Sequence, residues 1–307
     1  MITKYTEGTE SKIRSLFKDV FGRTMSLDEW KWRFADNPFD QYQLKCIWKN
    51  KELIGHTAFT PVESFVNHKL RRIYLSGSSM IHPGFRGEGL FPVLLKDLMQ
   101  EYKHIDLFYG FPNNQSLKSF IQFAEWELVH EIYSLRFDLS SLNNTTEDLS
   151  NITNISGFPK DINNLIQELK HRYSFILSRN ATFLNWRIND KPDNNYKIFV
   201  LKADQKITGY IVLKIHNAKD ELIGDIVDIL SIEYKGFTTL IQFAMQYFRS
   251  KAQSIHIIMT DPFYSDCLQE MGFQKNNFIT NFCIYKNKPI TIDYSKIYLT
   301  MIDSDIF

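Results

Sequence analysis

A glycine-rich turn, Arg-Gly-Glu-Gly at residues 86–89, is the segment of this sequence best suited to bind an anion. It joins an apolar run that ends at His82 to a helical pattern that begins near Gly89. Glycines at a helix start let consecutive backbone N–H groups face one concavity, because no Cβ is in the way. The helix N-terminus adds a partial positive charge. The turn is therefore typical of a phosphate or pyrophosphate site.

The elements around this turn are readable from the apolar pattern. Residues 71–82 predict a strand, and residues 89–101 have apolar positions at helical spacing. A second strand ends in Gly-Phe-Pro-Asn-Asn at 110–114, and another helix follows. The turn lacks the Gly-Lys-Ser/Thr of a P-loop and the third glycine of a dinucleotide-binding fingerprint. Both of those nucleotide sites are therefore disfavoured.

The sequence contains an internal repeat. Residues 26–59 resemble residues 180–213, with Trp32-Arg33 aligned to Trp186-Arg187 and Gly55 aligned to Gly209. Both offsets are 154 residues (186 − 32 and 209 − 55). In the second copy the glycine-rich turn is replaced by Glu-Tyr-Lys-Gly at 233–236. We predict two α/β domains, 1–142 and 155–307, joined by a polar linker near 140–154.

The turn and its surroundings resemble the acyl-CoA pyrophosphate loop of the GNAT (Gcn5-related) N-acyltransferase superfamily, Gln/Arg-x-x-Gly-x-Gly/Ala. Arg86 and Gly89 match that pattern, and Phe91 departs from it. The order strand, Asn-led helix and Trp126, and the closing Glu-Met-Gly-Phe at 270–273, also resemble the superfamily. The resemblance implies an α/β (α+β) fold of two tandem GNAT-like domains, each a mixed twisted sheet flanked by helices.

The same resemblance implies acyl-CoA as co-substrate and no metal. Backbone groups of Ser79, Met80 and Ile81 would hold the thioester and the pantetheine arm. The pyrophosphate would lie over the loop and the helix start. The cofactor-binding residues predicted there are Arg86, Gly87, Gly89, Leu90, Phe91 and Asn114.

Transfer of an acyl group to an amine needs a base, an oxyanion site and a proton donor for the thiolate. The superfamily often supplies the donor from a tyrosine, but Ile121 occupies that position here. Tyr109 is the replacement, unless it is only a sheet tyrosine. Candidate bases are Glu63, expected in a loop beyond a strand at 53–60, and His82, which could instead shape its turn.

The acidic tail is the third source of a base. It offers Asp303, Asp305 and the carboxylate of Phe307, since some tandem GNAT enzymes place their C-terminus in the active site. The alternative is a solvated end. The apolar run at 295–302 would allow the tail to dock, so both alternatives stay open.

Composition limits the partners. The chain has 307 residues and a formal charge of +1, which disfavours nucleic acid and anionic membranes. Three scattered cysteines, and the lack of a signal sequence or an 18-residue apolar window, indicate a cytoplasmic protein. The expected acceptor is a small amine, by resemblance a nucleotide-linked amino sugar of surface-polysaccharide synthesis. A homo-oligomer, a Fem-like aminoacyl transferase and a non-catalytic GNAT-derived binding protein stay open.

Overall fold

The chain divides into two compact units. The computed structural model describes residues 1–142, 149–193, 195–218 and 221–305. The first unit comprises residues 1–63, 71–131 and 280–291, and the second comprises 64–70, 132–279 and 292–307. The units thus interleave along the sequence. The predicted boundaries at 142 and 155 stay a prediction.

The first unit contains a mixed sheet with the strand order β1-β2-β3-β4-β5. Its strands, numbered in chain order, are β1 (Ile2–Lys4), β2 (Gln43–Lys49), β3 (Glu52–Val66), β4 (Lys69–Ile81) and β5 (Leu107–Gly110). Strand β4 is parallel to β5. The last part of β13 (Gln274–Lys286) pairs antiparallel with β5, from Cys283 opposite Gly110 to Lys286 opposite Leu107. This part of β13 therefore closes the edge of the first unit's sheet.

Helices cover both faces of that sheet. They are α1 (Glu10–Phe21), α2 (Leu27–Trp30) with a π-helical continuation (Lys31–Ala35), α3 (Leu90–Glu101), and α4 (Asn114–Lys118) with a π-helical continuation (Ser119–Phe123). Ala58 packs in a cluster with residues of α1 and α2, and its neighbour Phe59 packs in a cluster with residues of α3 and α4. Adjacent strand residues point to opposite faces, so the two helix pairs lie on opposite sides. This arrangement puts the start of α3 at the end of β4.

The second unit repeats this plan. Its strands are β6 (Glu127–Asp138) from residue 132 onward, β7 (Ile152–Ile155), β8 (Phe175–Leu177), β9 (Lys197–Ala203), β10 (Lys206–Ala218), β11 (Glu221–Ser231), β12 (Ser254–Ile257) and β14 (Ile297–Tyr298). Its helices are α5 (Asn163–Leu169), α6 (Ala181–Leu184) with a π-helical continuation (Asn185–Asn189), α7 (Tyr234–Phe248) and α8 (Pro262–Glu270). The strand order is β6-β12-β11-β10-β9-β7, and β14 pairs with β8.

The element bounds confirm the repeat. Helix α2 and its π-helical continuation recur 154 residues later as α6 and its continuation (181 − 27 and 189 − 35). Strand β2 recurs as β9 with the same offset at both ends (197 − 43 and 203 − 49). The predicted fold class, mixed sheets flanked by helices, is therefore confirmed.

Other predictions at the level of elements had mixed outcomes. The helix predicted at 89–101 is confirmed as α3. The linker prediction is wrong at its end, because Ile152–Ile155 forms a strand on β9; residues 143–148 lie outside the described part of the chain. Within the described ranges, no helix is long and apolar enough to cross a membrane. The three cysteines are buried free thiols.

Candidate functional site

Strands β4 and β5 separate before β4 ends. Their parallel pairing runs from Tyr74 opposite Phe108 to Ser76 opposite Gly110. Strand β4 then continues for five more residues (81 − 76) to Ile81, while β5 stops at Gly110. We call the gap between residues 77–81 and the end of β5 the first slot. Its β4 edge carries backbone groups that β5 does not pair.

A bulge sets the direction of these backbone groups. The β3–β4 hairpin closes through Asn67 and His68, both with positive φ, as in a type I′ turn. Ile54 lies 12 positions before Val66 (66 − 54), whereas His82 lies 13 positions after Lys69 (82 − 69). The His82 N–H nevertheless donates to the Ile54 carbonyl at 2.8 Å. Strand β4 thus contains one extra residue, as in a β-bulge. Ser78 has φ +50° and marks its position.

The N–H groups predicted to hold the thioester divide into two sets. Because His82 donates to β3 and successive residues of a strand alternate, Ser79 and Ile81 direct their N–H groups toward the first slot. Met80 directs its N–H group toward β3, and its side chain is buried among residues of α1 and α2. The thioester-binding role of Ser79 and Ile81 stays a prediction that this direction allows, whereas the Met80 N–H group faces away from the slot.

The glycine-rich loop lies between the first slot and α3. The connection from β4 to α3 has eight residues, 82–89. Gly87 and Gly89 have φ values of +83° and +70°, and a Cβ on either would meet no atom within 4 Å. Gly89 is the N-cap of α3, where no side chain caps the helix. Both glycines are thus required by their backbone conformation, and the space in front of them is open to a ligand.

The remaining loop residues fit an anion site. Arg86 is exposed, and its Nε donates to the Ile81 carbonyl at 3.4 Å, which places the guanidinium between the loop and the first slot. Leu90 and Phe91 are the first two residues of α3, and the ring of Phe91 contacts that of Phe120 at 5.6 Å. Pro92 has no N–H group, so the N–H groups of Leu90 and Phe91 are the donors of this first turn.

His82, Tyr109 and Asn114 lie around this loop and slot. The Nδ1 of His82 accepts from the Gly84 N–H at 3.2 Å, so the ring shapes the turn. Tyr109 is fully buried next to the last β4–β5 pair, with its ring 6.1 Å from that of Phe111. Asn114 begins α4. Its side-chain oxygen accepts from the Asn281 amide at 3.1 Å, so that interaction orients it.

Glu63 is not in a loop. Strand β3 extends to Val66, so Glu63 is a half-buried residue inside a strand. The prediction that the strand stops at residue 60 is therefore wrong. Asn37 donates to the Pro61 carbonyl at 3.0 Å and holds the strand there.

The tail is docked within the second unit as far as the structure describes it. Asp303 is 1% exposed, accepts from Arg179 at 2.6 Å, and caps its own turn through the Thr300 N–H at 2.7 Å. Arg187 donates to the carbonyls of Ile302 and Ser304 at 3.3 and 2.5 Å. These contacts give Asp303 an anchoring role and leave its predicted catalytic role without support. Asp305 is half-buried, and Phe307 lies outside the described residues.

Sequence reasoning missed two groups beside the first slot. His56 is fully buried, with its Nδ1 2.8 Å from the Ser78 carbonyl oxygen. Arg33 Nη1 lies 3.5 Å from the Ser78 hydroxyl, and Arg33 also pairs with Glu29 at 3.3 Å. Burial raises the pKa of Glu29, but Arg23 and Arg33 outweigh it and the net pKa is lowered. The repeated Trp-Arg pair was a visible signal for Arg33; nothing in the sequence pointed to His56.

The corresponding gap in the second unit is filled. Strands β11 and β12 pair in parallel up to Ile226 opposite Ile257. We call the gap beyond that pair the second slot. In it, Tyr298 donates to the Ile229 carbonyl and Thr300 donates to Asp228 at 2.7 Å. Thr260, just after β12, accepts from the Leu299 N–H at 2.7 Å. Residues 297–303 therefore occupy the second slot.

The loop that would hold an anion is also missing there. Only two residues, 232 and 233, connect β11 to α7, against eight between β4 and α3. A Cβ on Gly236 would lie 2.3 Å from the Ser231 hydroxyl, so this glycine serves close packing. The first slot and its loop are thus the arrangement suited to a thioester with a pyrophosphate.

The family model that matches this chain covers the part that contains the first slot. Residues 1–128 match the acetyltransferase (GNAT) domain family. No curated protein matches the chain.

Solved structures match over almost the whole chain. A GCN5-related N-acetyltransferase from Anabaena variabilis ATCC 29413 is 14% identical, with a TM-score of 0.75 over 94% of this chain and 73% of that one. A probable N-acyltransferase from Enterococcus faecalis V583 is 14% identical, with a TM-score of 0.72 over 94% and 72%. N-myristoyltransferase from Saccharomyces cerevisiae, with bound myristoyl-CoA, is 11% identical, with a TM-score of 0.63 over 97% and 87%. At these identities the matches show the fold, which is that of GNAT proteins.

Proposed function

We propose that the protein is an acyl-CoA-dependent N-acyltransferase whose co-substrate binds in the first slot. The separation of β4 from β5 next to an open, glycine-rich helix start is the observation that carries this proposal. It offers an extended groove for the pantetheine arm and N–H donors for the pyrophosphate. The GNAT match of residues 1–128 covers all of these residues and supports the same reading.

The pyrophosphate would bind at the loop. Left-handed glycines and the N-terminus of α3 present backbone N–H groups to it, and Arg86 supplies a positive charge. Because Arg86 also donates to the Ile81 carbonyl, the charge lies close to the strand edge that would hold the thioester. The loop thereby fixes the position of the thioester along β4.

Acyl transfer then proceeds by attack of the amine on the thioester carbonyl. The N–H groups of Ser79 and Ile81 would stabilise the developing oxyanion, since fixed donors in a slot that excludes water act without reorganisation. The carbon–sulfur bond breaks and the thiolate leaves. Tyr109, one residue before the last β4–β5 pair, would protonate that thiolate. Asp305 and Glu63 stay the proposed bases for the amine.

The acceptor is proposed to be a nucleotide-linked amino sugar used in surface-polysaccharide synthesis. This rests on the resemblance of the Trp-Arg segment and of the tail to a two-domain GNAT branch. Among the described residues the longest helix, α7, has 15 residues, so no helical arm of the Fem-like kind is present there. That observation favours acyl-CoA over an aminoacyl-tRNA donor.

The test is acyl transfer measured by thiol release from acetyl-CoA and longer acyl-CoAs. Acceptors should include nucleotide-linked amino sugars, free amino sugars and a peptide with a free N-terminus. We expect turnover with an acyl-CoA and a nucleotide-linked amino sugar. CoA binding without turnover on any acceptor would favour the non-catalytic reading, and failure to bind any acyl-CoA would overturn the proposal.

A further inference from the structure

The bulge at Ser78 presents a backbone carbonyl that needs a partner. At a bulge the extra residue leaves the strand ladder, and Ser78 adopts a left-handed φ of +50° that few non-glycine residues tolerate. Its carbonyl oxygen is buried together with the residue, which is 8% exposed. A buried carbonyl without a hydrogen bond is destabilising. The bulge therefore depends on whatever donates to this oxygen.

The donor is His56. Its Nδ1 lies 2.8 Å from the Ser78 carbonyl oxygen. A carbonyl oxygen can only accept, so Nδ1 carries the proton. Burial lowers the pKa of His56 to about 4, so the ring is neutral and this is its single ring proton. The Nε2 atom has no hydrogen-bond partner in the described part of the chain. The ring thus contributes one hydrogen bond, and it goes to the bulge.

We propose that His56 is a positioning residue of the first slot, which holds the bulge so that Ser79 and Ile81 direct their N–H groups at the acyl carbonyl. This inference rests on the proposed function. The bulge shifts the register of β4 by one residue just before Ser79. Without it, the N–H groups of residues 79 and 81 would exchange direction with that of Met80. His56 would then act on catalysis through the backbone, without touching either substrate.

The second unit supports the assignment by contrast. The residue 154 positions after His56 is Tyr210 (56 + 154), which is also fully buried. Two residues beyond the last parallel pair, where the first unit has Ser78, the second has Asp228, and Tyr210 donates to its carboxylate at 2.5 Å. In the second unit, Tyr210, the residue equivalent to His56, thus donates to a side chain of the buried network. In the first unit, His56 donates to a backbone carbonyl, that of Ser78.

The test compares three variants of His56 in acyl transfer. Asparagine places an amide N–H close to the position of Nδ1, whereas glutamine places its amide near that of Nε2, and alanine has no donor. We expect His56→Ala and His56→Gln to lower kcat about 30-fold, less than the roughly 100- to 1,000-fold loss when an oxyanion donor is removed outright, because the N–H groups are misdirected and not deleted. Their Kd for acyl-CoA should change less than about threefold, because the loop and α3 are intact. His56→Asn should recover most of the kcat.

The matched control is His68→Asn. His68 is exposed, its Nδ1 also lies 3.0 Å from a backbone carbonyl, that of Lys170, and it belongs to the second unit. The kcat of the His68→Asn variant should equal that of the wild type. Wild-type kcat in His56→Gln, or equal losses in the asparagine and glutamine variants, would overturn the inference. Absence of acyl-CoA binding in the wild type would instead overturn the proposed function.

A measurement on the unchanged protein keeps the inference testable if the variants do not fold. Nitrogen NMR of the His56 ring should show the Nδ1–H tautomer throughout pH 5–8. A protonated Nε2, or a ring that titrates within this range, would show that Nδ1 does not donate to Ser78 and would overturn the inference.

Discussion

The first slot and the second slot are built on the same frame. Each lies where a parallel strand pair ends, and each is preceded by a helix with the Trp-Arg pair on a π-helical turn. They differ in two respects. An eight-residue glycine-rich loop precedes the helix of the first slot, whereas a two-residue connection precedes the helix of the second. In addition, residues 297–303 fill the second slot. Six residues of loop and one docked segment thus separate the open first slot from the filled second slot.

The two slots also differ in where charge is buried. The second contains Arg179, Asp228 and Asp303, each no more than 1% exposed. Burial alone lowers the pKa of Arg179, but the two carboxylates outweigh it and the net pKa is raised. Such a network holds the segment only while it is complete. The ion pair described beside the first slot, Arg33 with Glu29, is less deeply buried, with side chains 11% and 16% exposed.

The largest effect should follow from breaking the network of the second slot. Asp303→Asn should lower the free energy of unfolding by about 3 kcal/mol, because it leaves Arg179 buried with one carboxylate fewer. Urea denaturation would measure this. The matched control is Asp40→Asn, which removes an exposed partner of Arg72 at 2.7 Å and should cost less than about 1 kcal/mol. Equal losses in the two variants would show that the network is not what holds the segment.

A loss of ligand binding should follow from changing the loop of the first slot. Gly89→Val should weaken CoA binding at least about 100-fold, or about 2.7 kcal/mol, because a β-branched residue disfavours φ +70°. Gly22→Val is the matched control, since Gly22 has φ +72°, open space around its Cβ position, and lies at the C-terminus of α1. Both variants should lose similar stability, and calorimetry should show lost CoA binding only for Gly89→Val. Unchanged affinity in that variant would remove the loop from the site.

Some features of the two slots were predictable from the sequence, and others were not. The glycine loop, α3 and the 154-residue repeat were predictable, because each depends on local residue types and spacing. The bulge contact of His56 was not, since Ser78 lies 22 residues away and its φ is invisible in the sequence. The Arg179–Asp303 pair spans 124 residues and was equally inaccessible. Asp303 therefore looked like a free acid of the tail.

Errors at the strand level have a similar cause. Strand β3 was expected to end at residue 60, but it continues to Val66, where its last three residues pair with β8. Ile152–Ile155 lies in a polar stretch and becomes a strand only because β9 offers an edge. In each case a tertiary partner overrode the local pattern.

The buried ring of His56 gives the first slot a distinct pH dependence. Its pKa falls from 6.5 to about 4 on folding, so the unfolded chain takes up the proton first as the pH is lowered. The stability present at neutral pH is therefore lost as the pH falls below about 6.5, by about 2 kcal/mol between pH 8 and pH 5. The change in unfolding free energy between these pH values should be smaller by that amount in His56→Asn. Parallel pH dependence in the variant and the wild type would contradict a buried neutral ring.

The smallest expected effect concerns the end of the tail. Removing residues 305–307 should lower turnover about tenfold while acyl-CoA affinity changes less than twofold, because a base acts in the chemical step. Asp305→Asn should have a weaker effect in the same direction. The anchors at Asp303 and Ser304 stay in place, so stability should be nearly unchanged. Normal turnover in the truncated protein would assign the base to another residue, with Glu63 next.

We propose that CoA binds in the first slot and not in the second. Hydrogen–deuterium exchange with and without CoA measures both slots in one experiment. We expect slower exchange of backbone amides at 79–91 and no change at 228–236. Protection at 228–236, or none at 79–91 with CoA bound, would contradict this proposal.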